Sequence, residues 1–171
     1  YGDVLGWNAF IAVLGQRAQP ATLAQLWGER HGFLMSYWGL FGGVNVMAPR
    51  PTYWLFDVLS LLGLVGFLIW LGRRWWRGFE ASDALVLLPA LWGLILFVSV
   101  LRWAWIFPSF QGRLVFPGIA GISSLMALGF RQWAPEPYRP AVGAAIGALL
   151  LMIAALLPFV AIAPAYAQPE P

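Results

Sequence analysis

Ala84-Leu85-Val86-Leu87-Leu88-Pro89-Ala90-Leu91-Trp92-Gly93-Leu94-Ile95-Leu96-Phe97-Val98-Ser99-Val100-Leu101 carries no charge over eighteen residues, and twelve of them are Leu, Ile, Val or Phe. Near the centre of a membrane helix each of those twelve favours insertion, together by roughly 4–7 kcal/mol as an upper bound. Pro89, Gly93 and Ser99 reduce that figure without reversing it. A bilayer core takes about 20 residues of helix. Lipid offers the backbone no hydrogen-bond partner, so the stretch must satisfy its own N–H and C=O groups as a helix. A membrane β-barrel strand would alternate apolar and polar residues, and this run does not.

Three further runs are similar. Residues 52–71 contain one charge, Asp57. Residues 114–130 are the weakest, at seventeen residues with Pro117, Gly118, Gly121 and two serines. Residues 141–165 are the longest, with Pro158 near the end. The first fifty residues differ. Residues 4–14 are apolar but too short to cross. Residues 22–27, opened by Pro20, put Leu23, Leu26 and Trp27 at helical spacing. Both read as interfacial or re-entrant helices, or residues 4–14 as the tail of a fifth span. Gly42-Gly43 and Pro49-Arg50-Pro51 break the chain before the first span.

The expected fold is therefore all-α: a polytopic membrane helical bundle of about four transmembrane helices preceded by short interfacial helices. Its parts are an extracytoplasmic or interfacial helical segment (1–50), a four-span bundle (51–165) and a polar stub (166–171). Gly143 and Gly147 form a G-xxx-G step, which suits packing within the bundle or, less simply, a homodimer. Ala165-Tyr166-Ala167 mimics a signal-peptidase site, but after three spans it reads as coincidence.

Composition agrees. The 171 residues are 61% hydrophobic and 10% charged, where a soluble domain holds about 25% charged residues. With no cysteine, disulfides, thiolate metal sites and cysteine nucleophiles are excluded. One histidine excludes multi-histidine metal sites. All ten basic residues are arginine, which excludes Schiff-base chemistry and a phosphate-loop lysine. No metal or cofactor is expected. Nucleic acid is not an expected partner either, because no basic stripe is present; Arg73-Arg74-Trp75-Trp76-Arg77 reads as a membrane-flanking anchor. A first residue of Tyr1 and the polar ending Gln168-Pro169-Glu170-Pro171 read as an excerpt of a longer polypeptide, or a processed one.

Orientation follows from arginine counts near the spans. Loops 72–83 and 131–140 hold five, against Arg50, Arg102 and Arg113 on the other side. The positive-inside rule then puts both chain ends outside the cytoplasm.

Polar groups worth chemistry collect on that outer side. Arg102 and Arg113 flank an aromatic loop, so both guanidiniums reach the same interface. They suit the phosphate of a lipid carrier, or they snorkel to headgroups. Asp57 lies about a turn and a half inside the first span, where it forms an ion pair with Arg102 or Arg113, stands solvated, or serves substrate. Ser36, His31 and Glu29 are merely near in sequence and lack a nucleophile-elbow context.

Ser36-Tyr37-Trp38-Gly39-Leu40-Phe41-Gly42-Gly43-Val44-Asn45-Val46, followed by Pro51 and an apolar span, resembles the "S-F-W-G-x-F-G-W-x-N/D-V-x-x-P" stretch of bacterial multipass membrane proteins related to GT-C glycosyltransferases, the clan of protein mannosyltransferases and aminoarabinose transferases. Gln111-Gly112-Arg113-Leu114-Val115-Phe116-Pro117 resembles the "Q-G-R-Y-x-F/L-P" that opens a later span in the same proteins. The order and spacing fit, and the likeness covers most of residues 33–165. Tyr37, Gly43 and Leu114 depart from the usual Phe, Trp and Tyr. The resemblance implies the C-terminal membrane portion of an enzyme that moves a sugar from a polyprenyl-phosphate donor on the outer face of the bacterial inner membrane. It implies that Gln111 and Arg113 contact the phosphate, and that the catalytic acid lies before this excerpt; Arg102 is added from its position alone. The rival reading is a non-catalytic structural subunit of a larger membrane complex, which eleven tryptophans and few acids also suit. A transporter or channel would need broken mid-membrane helices, hinted at only by Pro117 and the glycines of the third run.

Overall fold

The computed structural model describes residues 7–167. Residues 4–6 of the first apolar stretch and residues 168–171 of the terminal stub lie outside that range. The described chain is predominantly helical, as expected. Short helix α1 (Trp7–Leu14) is followed by α2 (Leu23–Trp38). Thr22 caps α2: its hydroxyl accepts from the Gln25 N–H, and the Gln25 side chain accepts from the Thr22 N–H at 2.7 Å. The apolar stretch at 22–27 is thus only the first part of a sixteen-residue helix. Its polar patch at Glu29-Arg30-His31 interrupts hydropathy but not helix geometry.

A small antiparallel pair follows, β1 (Leu40–Phe41) with β2 (Val46–Met47), which the sequence reading left out. Its tip is turned by Gly42 at φ +62° and Val44 at φ +67°. Tyr53 fastens it to the first span. The phenol donates to the Gly39 carbonyl at 2.7 Å and accepts from the Ala48 N–H at 2.9 Å.

The four spans are present, with shifted ends. Helix α3 runs Arg50–Arg77, twenty-eight residues. Pro51 lies in its first turn, where a missing N–H costs nothing. It outlasts its apolar run because the arginines of its last turn suit the helix C-terminus, and Arg74 meets Glu80 and Asp83, each at 3.0 Å. Helix α4 is Ala84–Ile106. The weak third run crosses by a device of its own. It opens as a 3-10 helix, Gly112–Gly118, and continues as α5, Ile119–Phe130. At about 2.0 Å per residue the 3-10 part rises about 14 Å, and α5 adds about 18 Å, enough for the core. The fourth span is α6 (Arg139–Leu157), a π-helical turn at Pro158–Ile162, and α7 (Ala163–Ala167). The wider turn absorbs Pro158 without ending the span.

Packing is uneven. Helix α3 lies closest on α5, where a Cβ on Gly66 would run into the Gly129 carbonyl and one on Gly129 into that of Gly63. Helix α4 also packs on α5, but α3 and α4 scarcely touch each other, and α6 touches α5 only slightly. The expectation that Gly143 and Gly147 serve close packing inside the bundle is corrected: a Cβ on either meets nothing within 4 Å. The glycines at the α3–α5 crossing are Gly63, Gly66 and Gly129, which do not form a G-xxx-G step.

One end of the bundle is capped by α2, the β-pair and the 3-10 helix. Ala48, Tyr53, Leu157 and Ala161 form one buried cluster there, and Ala21, Leu26 and Ala104 another. Elsewhere the spans show apolar side chains on every side. In the most apolar eighteen-residue window of α4, 6% of residues are buried. A helix that is apolar all round and not covered by its own chain belongs in a membrane rather than in water. The cap changes the arginine count: Arg17 and Arg30 stand at the same end as Arg50, Arg102 and Arg113, so the two ends hold five each rather than five against three.

Candidate functional site

Because α3 and α4 lean on α5 and not on each other, a cleft opens between them. Its floor is Ile122, Leu125 and Met126 of α5, and Phe33 and Tyr37 of α2 line it towards the capped end. This inner part holds about 240 Å³. It continues, past the shared Phe33, Leu34, Ser60, Leu64 and Phe97, into a wider groove of about 930 Å³ between α2, α3 and α4. The walls are apolar, and two charged groups line the groove, Asp57 and Arg30. Asp57 is half-buried and sits one turn before Ser60 on α3. The Arg30 guanidinium lies 4.5 Å over the Trp27 ring and donates to the Trp27 carbonyl at 2.8 Å. Those contacts hold the cation at the groove while leaving N–H groups to spare. Below, the Ser60 hydroxyl donates to the Phe56 carbonyl at 2.8 Å and accepts from the Trp38 indole at 3.0 Å. The interior therefore presents little free polarity. Burial pushes the Tyr37 phenol above its ordinary pKa, so it remains neutral.

The residues singled out from sequence stand at the capped end but do not share a cleft. Arg102 is exposed beside Pro20, Trp105 and Ile106. Gln111 lines a separate hollow of about 350 Å³ with Glu29, Ser36 and Ser109 beside Leu40, Val44 and Pro108. Arg113 is exposed on the 3-10 helix. With three residues per turn, that helix buries Gly112, Val115 and Gly118 as one column and turns Arg113 away from it. Asp57 makes no ion pair among the described residues, with Arg102, Arg113 or any other cation. The guanidinium that shares its groove is Arg30, which lies on a different element from the two expected partners. Ser36, His31 and Glu29 do not form a triad: Glu29 binds Arg17, Ser36 binds backbone, and His31 is exposed.

Two features escaped the sequence reading. Arg17 fastens the N-terminal segment to the end of α4. It reaches both Glu29 carboxylate oxygens at 2.7 Å, and its Nε donates to the carbonyls of Ala104 at 3.1 Å and Phe107 at 3.2 Å. No spacing rule predicts a partner nearly ninety residues away. The second is the physical link between the two motifs. The Ser36 hydroxyl accepts the Gly112 N–H at 2.7 Å and donates to the Phe33 carbonyl at 3.0 Å. A side chain on Gly112 would collide with the Phe33 carbonyl and sit 2.5 Å from the Tyr37 Cβ. Ser36 and Gly112 thus join α2 to the start of the third span.

Four long apolar helices with lipid-facing surfaces make this a multipass integral membrane protein. Compared with known protein families, curated proteins and solved structures, the chain matches none of them.

Proposed function

We propose that this chain is the lipid-carrier-binding membrane portion of a glycosyltransferase that takes its sugar from a polyprenyl-phosphate donor at the outer face of the bacterial inner membrane. The observation that carries the reading is the cleft between α3 and α4, apolar along its length, with Arg30 and Asp57 lining its wider part. A long isoprenoid tail needs such a lateral, dry slot, and a guanidinium fork suits the phosphate at its head. Charge developing on the leaving phosphate would be met by that fork. The Asp57 carboxylate is an acceptor for sugar hydroxyls. Arg102, Gln111 and Arg113 stand at the same end, where they would attract the donor.

Native mass spectrometry of the detergent-purified chain tests this with a long-chain polyprenyl phosphate and the uncharged polyprenol. The phosphate form should be retained preferentially. Arg30→Gln should weaken it about tenfold, in line with about 1.5 kcal/mol for one charge-assisted hydrogen bond. Leu64→Trp, which fills the slot, should reduce both ligands. Equal retention of the two by the parent chain would remove the reading.

A second reading, a non-catalytic subunit, is favoured by α4, where only Val100 and Ala104 are buried along twenty-three residues. A larger particle extracted from native membranes, without carrier binding, would select it.

The proposed orientation puts the capped end outside, where the resemblance places sugar transfer. The chain has no cysteine, so single reporters are clean. An impermeant thiol reagent on intact cells should label Ser109→Cys and spare Gly78→Cys; the opposite pattern inverts the topology.

A further inference from the structure

A second cleft lies between α5 and α6, on a different side of α5 from most of the carrier slot. It holds about 590 Å³. Its α6 wall is Val142, Gly143, Ile146, Gly147 and Leu150, and beside both glycines the space is open to 4 Å. At the end away from the cap stand two arginines, Arg131 and Arg139. Arg139 is pinned in place. Its Nε donates to the carbonyls of Arg131 at 3.1 Å and Ala134 at 3.3 Å, and it meets the exposed Glu136 at 3.2 Å. The exposed Arg131 guanidinium has no side-chain hydrogen bond or ion pair among the described residues.

On the α6 side the cleft follows the helix from Arg139 to Leu150, a rise of about 16 Å. On the α5 side it continues from Arg131 to Ile119 and Phe116, and Tyr37 and Trp38 of α2 line its capped end. Apart from Ser123 and the polar atoms of Tyr37 and Trp38, the side chains between the arginines and the cap are apolar, which suits an acyl chain.

We infer that this cleft seats an anionic glycerophospholipid from the leaflet on the Arg131 side, with its acyl chain along Gly143 and Gly147 and its phosphate at Arg131 and Arg139. The argument is charge complementarity at Arg131 and Arg139 joined to an apolar cleft that is open beside Gly143 and Gly147, and it holds in either orientation of the protein.

The full chain, purified in detergent, is exchanged into mixed micelles with equal dioleoylphosphatidylglycerol and dioleoylphosphatidylcholine, and retained lipid is counted by native mass spectrometry. The chain should favour phosphatidylglycerol, by about fivefold for each guanidinium engaged. Arg131→Gln leaves the Arg139 bonds intact and should remove about fivefold of that preference. Gly147→Leu should reduce retention of both lipids while melting no lower than the parent, since the site is open. Absence of a headgroup preference in the parent chain overturns the inference. So does unchanged retention in Gly147→Leu, including the case where that variant alters oligomer mass, which would assign the cleft to a helix of a second copy.

Discussion

Gly66→Val is expected to cost more than about 3 kcal/mol and to abolish monodisperse protein in detergent. Overpacking usually costs about 1–3 kcal/mol because neighbours yield. Here the neighbour is backbone. The new Cβ meets the Gly129 carbonyl group, and the companion contact of Gly129 is with the Gly63 carbonyl and, at 3.0 Å, the Phe67 nitrogen. Relief requires α3 and α5 to separate along the closest crossing in the bundle. Membrane helices gain little from hydrophobic burial against one another, so that close packing is a main source of association. Gly72→Ala on the same helix has open space and should be neutral or stabilising by up to about 1 kcal/mol through helix propensity. Thermal unfolding followed by size-exclusion fluorescence separates the outcomes. Equal melting of Gly66→Val and the parent would contradict the crossing.

Gly112→Ala should be the next most damaging change, at about 2–3 kcal/mol, with Ser36→Ala at about 1–3 kcal/mol. The alanine methyl must displace the Phe33 carbonyl and the Tyr37 backbone nitrogen, which stands 2.9 Å away. Ser36→Ala has the opposite geometry and the same address. It opens space but leaves the buried Gly112 N–H without its acceptor. Both loosen α2 from the third span, and Phe33 and Tyr37 are the part of α2 that lines the inner α3–α4 cleft. Carrier retention should therefore fall with stability in both variants. Arg30→Gln differs, since Arg30 is exposed and should lose retention at unchanged melting temperature. A Gly112→Ala chain that melted like the parent would remove the proposed role of the Ser36–Gly112 bond.

The same comparison explains why the motifs could be noticed without being understood. Ser36 and Gly112 are seventy-six residues apart, and nothing local to either one specifies the other. Arg17 and the end of α4 pose the same difficulty over a longer separation. Conversely, Arg102 and Arg113 flank one loop, and Gln111 and Arg113 belong to one motif, which makes them look like a single site. The chain leaves them in different surroundings, because an α-helix end, a loop and a 3-10 helix point successive side chains in unrelated directions.

What the sequence determined alone is the class and the count: an all-helical membrane protein with four spans. Transfer from water to lipid acts residue by residue, and backbone satisfaction forces the helix. Even the thin third run was countable, although only the 3-10 geometry accounts for its reach. Tertiary structure decided which faces meet. It put Gly63, Gly66 and Gly129 in contact while leaving the more conspicuous Gly143 and Gly147 bare, and it brought Arg30 rather than Arg102 or Arg113 to the groove of Asp57. Lipid solvates every apolar face of a helix about equally well, so hydropathy cannot choose the buried one; close backbone approach and a few polar bonds between distant segments make that choice.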